Sequence, residues 1–224
     1  MIDPDRLRRI AAWSRPLDGA AFERARAGVT ERGFARGSSV FVQGQRFDAW
    51  AGVVEGLVKL CRQSRDGKEI TYTGVHAGGW FGEGSVLKGE LRRYEVIALR
   101  DTTLALLDRA SFLWLFENSA DFNRFLVGQL NERLGQFMGL LENDRLRDPE
   151  ARVARALASM FNPVLYPEAG AHLVISQEEV GLLAGVSRPV ANQALKTLAS
   201  DGVLRVEYGG LTVLDLERLR GYGG

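Results

Sequence analysis

One cysteine and two histidines are all the thiol and imidazole metal ligands that this sequence of 224 residues offers. Cys61, being alone, excludes an intramolecular disulfide and any iron–sulfur cluster held by the thiolates of one chain. His76 and His172 fall in different parts of the sequence, whereas a metal-dependent oxygenase built on a β-barrel needs two or three histidines beside a carboxylate. No Walker loop, nucleophile elbow or zinc motif is present, so no catalytic residue and no metal ligand can be nominated. Long apolar runs are missing too. The longest obvious one, Phe112 to Phe116, is far short of the roughly 20 residues that span a bilayer, and the segment after Met1 is charged without an apolar h-region. A cytoplasmic protein with no membrane partner is the expectation. Surplus charge is also scarce: 29 Lys and Arg against 28 Asp and Glu leave +1. Residues 145–224 carry nine of each sign, so any surface for a polyanion must gather its few cations on one face.

With 46% hydrophobic and 25% charged residues, the chain is globular and long enough for two modest domains. Its most informative stretch is Ile175 to Ser200, ISQEEVGLLAGVSRPVANQALKTLAS. Ser176 and Glu179 form the S-x-x-E capping box that starts a helix, with Val180, Leu183 and Ala184 on one side and Gly185 where the chain must leave it. Ser187 is a second N-cap. The helix it opens places Val190, Ala191, Ala194, Leu195 and Leu198 on one face, and Pro189, Asn192, Gln193 and Lys196 on the other. Two short helices joined by so tight a turn suit insertion into the major groove of double-stranded DNA. Arg188, Asn192 and Gln193 can pair with base edges, while Ser176, Gln177 and Lys196 fit phosphates, with Ser187 and Pro189 at the start of the same helix. An ordinary helical hairpin with a solvated face is the plainer alternative. The two β-rich runs Val203–Tyr208 and Leu211–Leu214 around Gly209-Gly210 favour DNA, because a helix-turn-helix followed by a hairpin is a winged helix.

Upstream, Asp3-Pro4 and Asp18 each begin a short helix, and Trp13 and Phe22 are core candidates. Residues 33–89 hold 12 of the 26 glycines, and turns at Gly44, Asp66-Gly67 and Gly78-Gly79 separate short apolar runs, the pattern of an antiparallel sandwich or barrel with Trp50, Trp80 and Phe81 inside. Asp108 caps a helix through FLWLFEN. A longer helix follows from about Ala120 to Arg147, in which Phe122, Leu126, Leu130, Leu134, Phe137 and Leu141 recur as the seam of a two-stranded coiled coil, hence a homodimer. Asp148-Pro149 ends it as a hinge, with Pro149 at the first position of the next helix.

GxxVFxQG at Gly37–Gly44, VxEGLVKL at Val53–Leu60 and the winged helix together resemble the CRP/FNR superfamily of bacterial transcription regulators over nearly the whole chain. The resemblance implies an α+β protein: a jelly-roll (double-stranded β-helix) sensor domain at residues 1–118, a dimerisation helix at 119–147 and a winged helix-turn-helix at 148–224. It further implies a homodimer on an inverted-repeat operator, with RNA polymerase as a further partner. In the family a short helix inside the roll offers backbone N–H groups to a cyclic phosphate, with a carboxylate on the ribose and an arginine on the phosphate. Glu83, after Gly82, matches the carboxylate and Arg92 the arginine, but Arg93 and Tyr94 stand where small residues are expected. Arg133 on the long helix is a further effector candidate, and Phe137 and Met138 stand where cAMP-responsive relatives present hydroxyl residues to adenine, replacing them with apolar ones. An unpaired buried base edge costs about 1–3 kcal/mol per group, so cAMP is disfavoured and another small effector, or none, is expected. Two other readings stay open: a ligand-binding module whose winged helix docks protein, and a jelly-roll metal enzyme.

Overall fold

The computed structural model describes residues 1–63, 69–143, 148–167 and 169–223. The chain divides into two compact units, Met1–Leu60 with Val75–Glu132, and Cys61–Gly74 with Arg133–Gly224.

Helices α1 (Pro4–Ile10) and α2 (Gly19–Gly28) open the first unit. Asp3 accepts the Arg6 N–H at 2.9 Å and caps α1, as the Asp-Pro pair implies. Asp18 occupies the corresponding place before α2, but its side chain accepts no capping bond. Eight strands follow among the described residues: β1 (Val29–Phe34), β2 (Ser39–Phe41), β3 (Ala49–Glu55), β4 (Leu57–Gln63), β5 (Glu69–His76), β6 (Trp80–Phe81), β7 (Glu95–Ala98) and β8 (Thr102–Asp108). They make two four-stranded sheets, ordered β1-β8-β3-β6 and β2-β7-β4-β5. Apart from the β4–β5 pair, each strand crosses to the sheet opposite its predecessor, which is the jelly-roll path. Helix α3 (Glu83–Lys88) lies between β6 and β7, and α4 (Arg109–Asn118), capped by Asp108, follows β8. The turn expected at Asp66-Gly67 lies outside the described residues.

Aromatic rings organise the core of this unit. Trp13 lies 5.4 Å from Trp50 and 5.2 Å from Trp80, and Trp50 and Trp80 are 4.5 Å apart, with Phe112 and Phe122 edge-on around them. Such tilted and edge-to-face pairs each add about 0.5–1.5 kcal/mol beyond burial alone. This packing draws the start of helix α5 (Ala120–Asn143) into the core: Phe122 and Leu126 are buried, and Gln129 donates to the Trp80 carbonyl at 3.0 Å.

The seam read from sequence therefore divides. Phe122 and Leu126 belong to the core of the roll, whereas Leu130, Leu134 and Phe137 are 40–55% exposed, and their neighbours Val127 and Met138 are 66% and 57% exposed. Steps of four residues advance by about 40° around a helix, so the apolar row has turned about 120° between Phe122 and Leu134. One end of the row is buried and the other is exposed. The Leu141 side chain and the expected continuation to Arg147 lie outside the described residues.

In the second unit Asp148 caps α6 (Pro149–Ala158) by accepting the Glu150 N–H at 3.1 Å. Strand β9 (His172–Val174), helices α7 (Gln177–Ala184) and α8 (Arg188–Ser200), strands β10 (Leu204–Glu207) and β11 (Gly210–Val213), and α9 (Leu216–Arg220) complete it. The sheet order is β10-β11-β9. β9 ends before Ile175, whose N–H donates to Gly209 in the wing turn at 3.1 Å.

Candidate nucleic-acid interface and effector site

The helix-turn-helix forms as its sequence signals require. The Ser176 N–H donates to the Glu179 carboxylate at 2.6 Å and the Glu179 N–H to Ser176 Oγ at 3.2 Å, so both halves of the capping box are present. Gly185 ends α7 in the left-handed region at φ 64°, and the Val186 N–H returns to the Gly181 carbonyl at 2.9 Å. Ser187 sits at the N-cap of α8, yet its hydroxyl makes no capping bond. Ala191, Ala194, Leu195 and Leu198 are buried, and Arg188, Pro189, Gln193 and Lys196 are exposed, with Asn192 half-buried between them. The packing face is narrower than expected: Val190 is 37% exposed, because it stands about 90° from the centre of the stripe. Ser176 is exposed and Gln177 half-buried at the start of α7. Among the described residues neither Arg188 nor Lys196 has an ion-pair partner, so both charges of this face are available to a phosphate or a base edge.

The wing is a two-residue turn, Tyr208-Gly209, closing the pair Glu207 and Gly210. Arg205 of the wing donates to Glu207 at 2.9 Å, and Thr212 donates to the same oxygen at 3.0 Å. These bonds, Arg205 first, hold the Glu207 carboxyl below the usual carboxylate range.

Sequence inspection missed two residues of this motif. A Cβ on Gly181 would lie 2.9 Å from the Val186 carbonyl oxygen, so only glycine lets the turn fold back on α7. Its signal was an isolated glycine inside an apolar helix, where it costs about 1 kcal/mol against alanine unless packing needs it. Arg152 of α6 donates Nη2 to the carbonyls of both Ala184 and Gly185 at 2.8 Å.

In the roll, Gly82, Glu83 and Arg92 come together, with Arg92 turned inward. Its Nη1 donates to the Gly82 carbonyl at 2.8 Å, and Nη2 to Ala49 at 2.7 Å and Phe47 at 3.2 Å. The guanidinium lies 4.4 Å over the Phe41 ring, and the residue is 1% exposed. Burial lowers its pKa from the ordinary value, against the opposing charges of Tyr94, Glu83 and Asp48. A Cβ on Gly82 would strike Nη1, so this pose needs the glycine. Glu83 is 4% exposed. Arg93 points outward and pairs with Glu90 at 2.8 Å, as does Lys88.

Comparison with known proteins now bears on both sites. Residues 31–119 match the cyclic nucleotide-binding domain and residues 151–222 the Crp-like helix-turn-helix domain. The cyclic AMP receptor protein of Thermus thermophilus is 33% identical over 182 residues, which are 80% of this chain and 82% of that protein. The chain belongs to the CRP/FNR family. This CRP/FNR protein is also 29% identical over 189 residues to the CRP-like cAMP-activated global transcriptional regulator of Mycobacterium tuberculosis, covering 83% and 84% of the two chains. The crystal structure of the Thermus thermophilus catabolite activator protein superposes with a TM-score of 0.52 at 28% identity, over 93% of this chain and 98% of that one. The family is one of transcription regulators rather than enzymes. Among the described residues no helix is long and apolar enough to cross a membrane, and no group of three or more His, Cys, Asp or Glu side chains could hold a metal ion.

The remaining positions that the resemblance implied for an effector, Arg133, Phe137 and Met138, lie on α5 in the second unit. Arg133 is half-buried, while Phe137 and Met138 are 47% and 57% exposed, and Phe137 meets the Tyr72 ring edge-on at 6.3 Å.

Proposed function

We propose that this CRP/FNR protein binds DNA as a homodimer on an inverted-repeat operator and recruits or excludes RNA polymerase there, without responding to cAMP. The observation that carries the reading is the uncovered face of α8: Arg188, Pro189, Gln193 and Lys196 are exposed while the opposite face is packed. Arg188, Asn192 and Gln193 read bases, and Ser176, Gln177, Ser187 and Lys196 meet the backbone. Two copies joined along the exposed row Val127–Leu130–Leu134–Phe137 present two such helices, which a palindrome about 34 Å between half-site centres would match.

The departure from cAMP rests on residues at both effector-site groups. Arg92 is spent on three backbone carbonyls and a ring face, Arg93 and Tyr94 are bulky where small residues are usual, and Phe137 and Met138 offer an adenine edge no hydrogen bond. A different small effector in the roll, or none, is consistent with this set.

Selection of bound fragments from genomic DNA tests the reading. It stands if the fragments share an inverted repeat bound by a dimer and the selection is unchanged by cAMP. It is overturned if no fragment is enriched.

A further inference from the structure

The last carbonyls of a helix have no partner within it. In α7 they are taken from two sides. Arg152 of α6 holds Ala184 and Gly185, and Thr71 of strand β5 donates its hydroxyl to the Leu182 carbonyl at 3.0 Å. β5 is an edge strand of its sheet, with one row of backbone groups outside the ladder. The Gly74 carbonyl accepts the Tyr166 hydroxyl at 3.0 Å. The Tyr166 phenol is buried, which pushes its pKa up to about 12. Gly74 lets Leu183 of α7 close in, since a Cβ there would lie 2.9 Å from a Leu183 methyl carbon. Residues 69–74 of the strand, α7 and Tyr166 all fall in the second unit, and these contacts pack them together.

We infer that Thr71 and Tyr166 are positioning residues for DNA recognition: through β5 they clamp the C-terminal end of α7 and so fix the angle at which the turn launches α8. The inference rests on the DNA-binding reading above. Neither residue belongs to α8, and neither bears a charge at neutral pH. Removing the clamp takes away no phosphate contact and no counterion release; it removes pre-organisation, which specific recognition needs and loose backbone binding does not.

The test uses the full chain, a fragment selected from genomic DNA and a scrambled fragment. Thr71→Val and Tyr166→Phe should bind the selected fragment about tenfold more weakly, the effect of one lost hydrogen bond of about 1.4 kcal/mol. Affinity for the scrambled fragment and the salt dependence should not change, and Thr71→Ser should restore wild-type binding. The inference is overturned if both variants bind the selected fragment as tightly as wild type, or if specific and non-specific affinity fall together. Should wild type select no DNA at all, the DNA-binding reading fails and the clamp is judged by amide exchange. Faster exchange at Gly185 and Val186 in Thr71→Val upholds the clamp, and unchanged exchange removes it.

Discussion

The guanidinium of Arg92 lies 4.4 Å above the ring of Phe41 while donating to the Gly82 carbonyl at 2.8 Å, so the arginine that the family resemblance matched to a cyclic phosphate holds strands and loop of the roll together. Replacing it leaves the Gly82, Ala49 and Phe47 carbonyls short of a donor inside the protein. Arg92→Met should therefore lower stability to urea, on the order of 3 kcal/mol. Calorimetry of the wild type with cAMP should show no binding at micromolar concentrations. An unchanged urea midpoint in the variant, together with micromolar cAMP binding by the wild type, would return Arg92 to the role of phosphate ligand.

Arg188 stands at the first position of α8, exposed and without an ion-pair partner among the described residues. Arg188→Ala should abolish preference for the selected fragment, a loss of about 1–3 kcal/mol for one bidentate contact, and leave the oligomeric state as it was. Gel-shift titration and sedimentation on the same sample check both halves.

Helix α5 separates stability from assembly along its length. Leu134, 55% exposed, belongs to the row assigned to a second copy, and Leu134→Asp should give a folded monomer by sedimentation equilibrium. Leu126, 2% exposed, belongs to the core, and Leu126→Ala should cost about 2–5 kcal/mol in denaturant while the dimer persists under native conditions. A Leu134→Asp protein that still sediments as a dimer would move the interface elsewhere.

Tyr166 gives the second unit an alkaline limit. Burial raises its pKa to about 12 in the folded chain, from about 10 when exposed. A raised folded-state pKa means that the contribution is complete below pH about 10 and is lost as pH climbs toward about 12, roughly 3 kcal/mol over two pH units. Urea midpoints measured across that window should fall more steeply for wild type than for Tyr166→Phe. Tyr222, also raised to about 12 by its bond to Asp201, is present in both proteins and cancels from the comparison.

Much of the architecture was legible because it depends on local chemistry. The Ser176–Glu179 box, the Gly185 exit and Pro149 behind Asp148 are each specified within a few residues, and each is where the sequence placed it, whereas the wing turn falls one residue earlier than Gly209-Gly210, at Tyr208-Gly209. Contacts between residues far apart in sequence were not legible. No pattern could assign Phe122 and Leu126 to a cluster of three tryptophans, because one periodic row serves both a domain core and a helix seam until the twist of the row is set against the rest of the fold. The inward turn of Arg92 was equally hidden. It depends on carbonyls at Phe47, Ala49 and Gly82 that converge only when the sheets are built. Thr71 carries no motif at all, and its partner Leu182 is 111 residues away.

All four tryptophans, Trp13, Trp50, Trp80 and Trp114, lie in the first unit, and four of the five tyrosines lie in the second. Light absorbed near 295 nm, where tyrosine is transparent, therefore interrogates only the jelly roll. The winged helix is dark at that wavelength. A melting curve followed by tryptophan emission records one unit, and its displacement from a curve followed by helical circular dichroism measures how independently the other one unfolds.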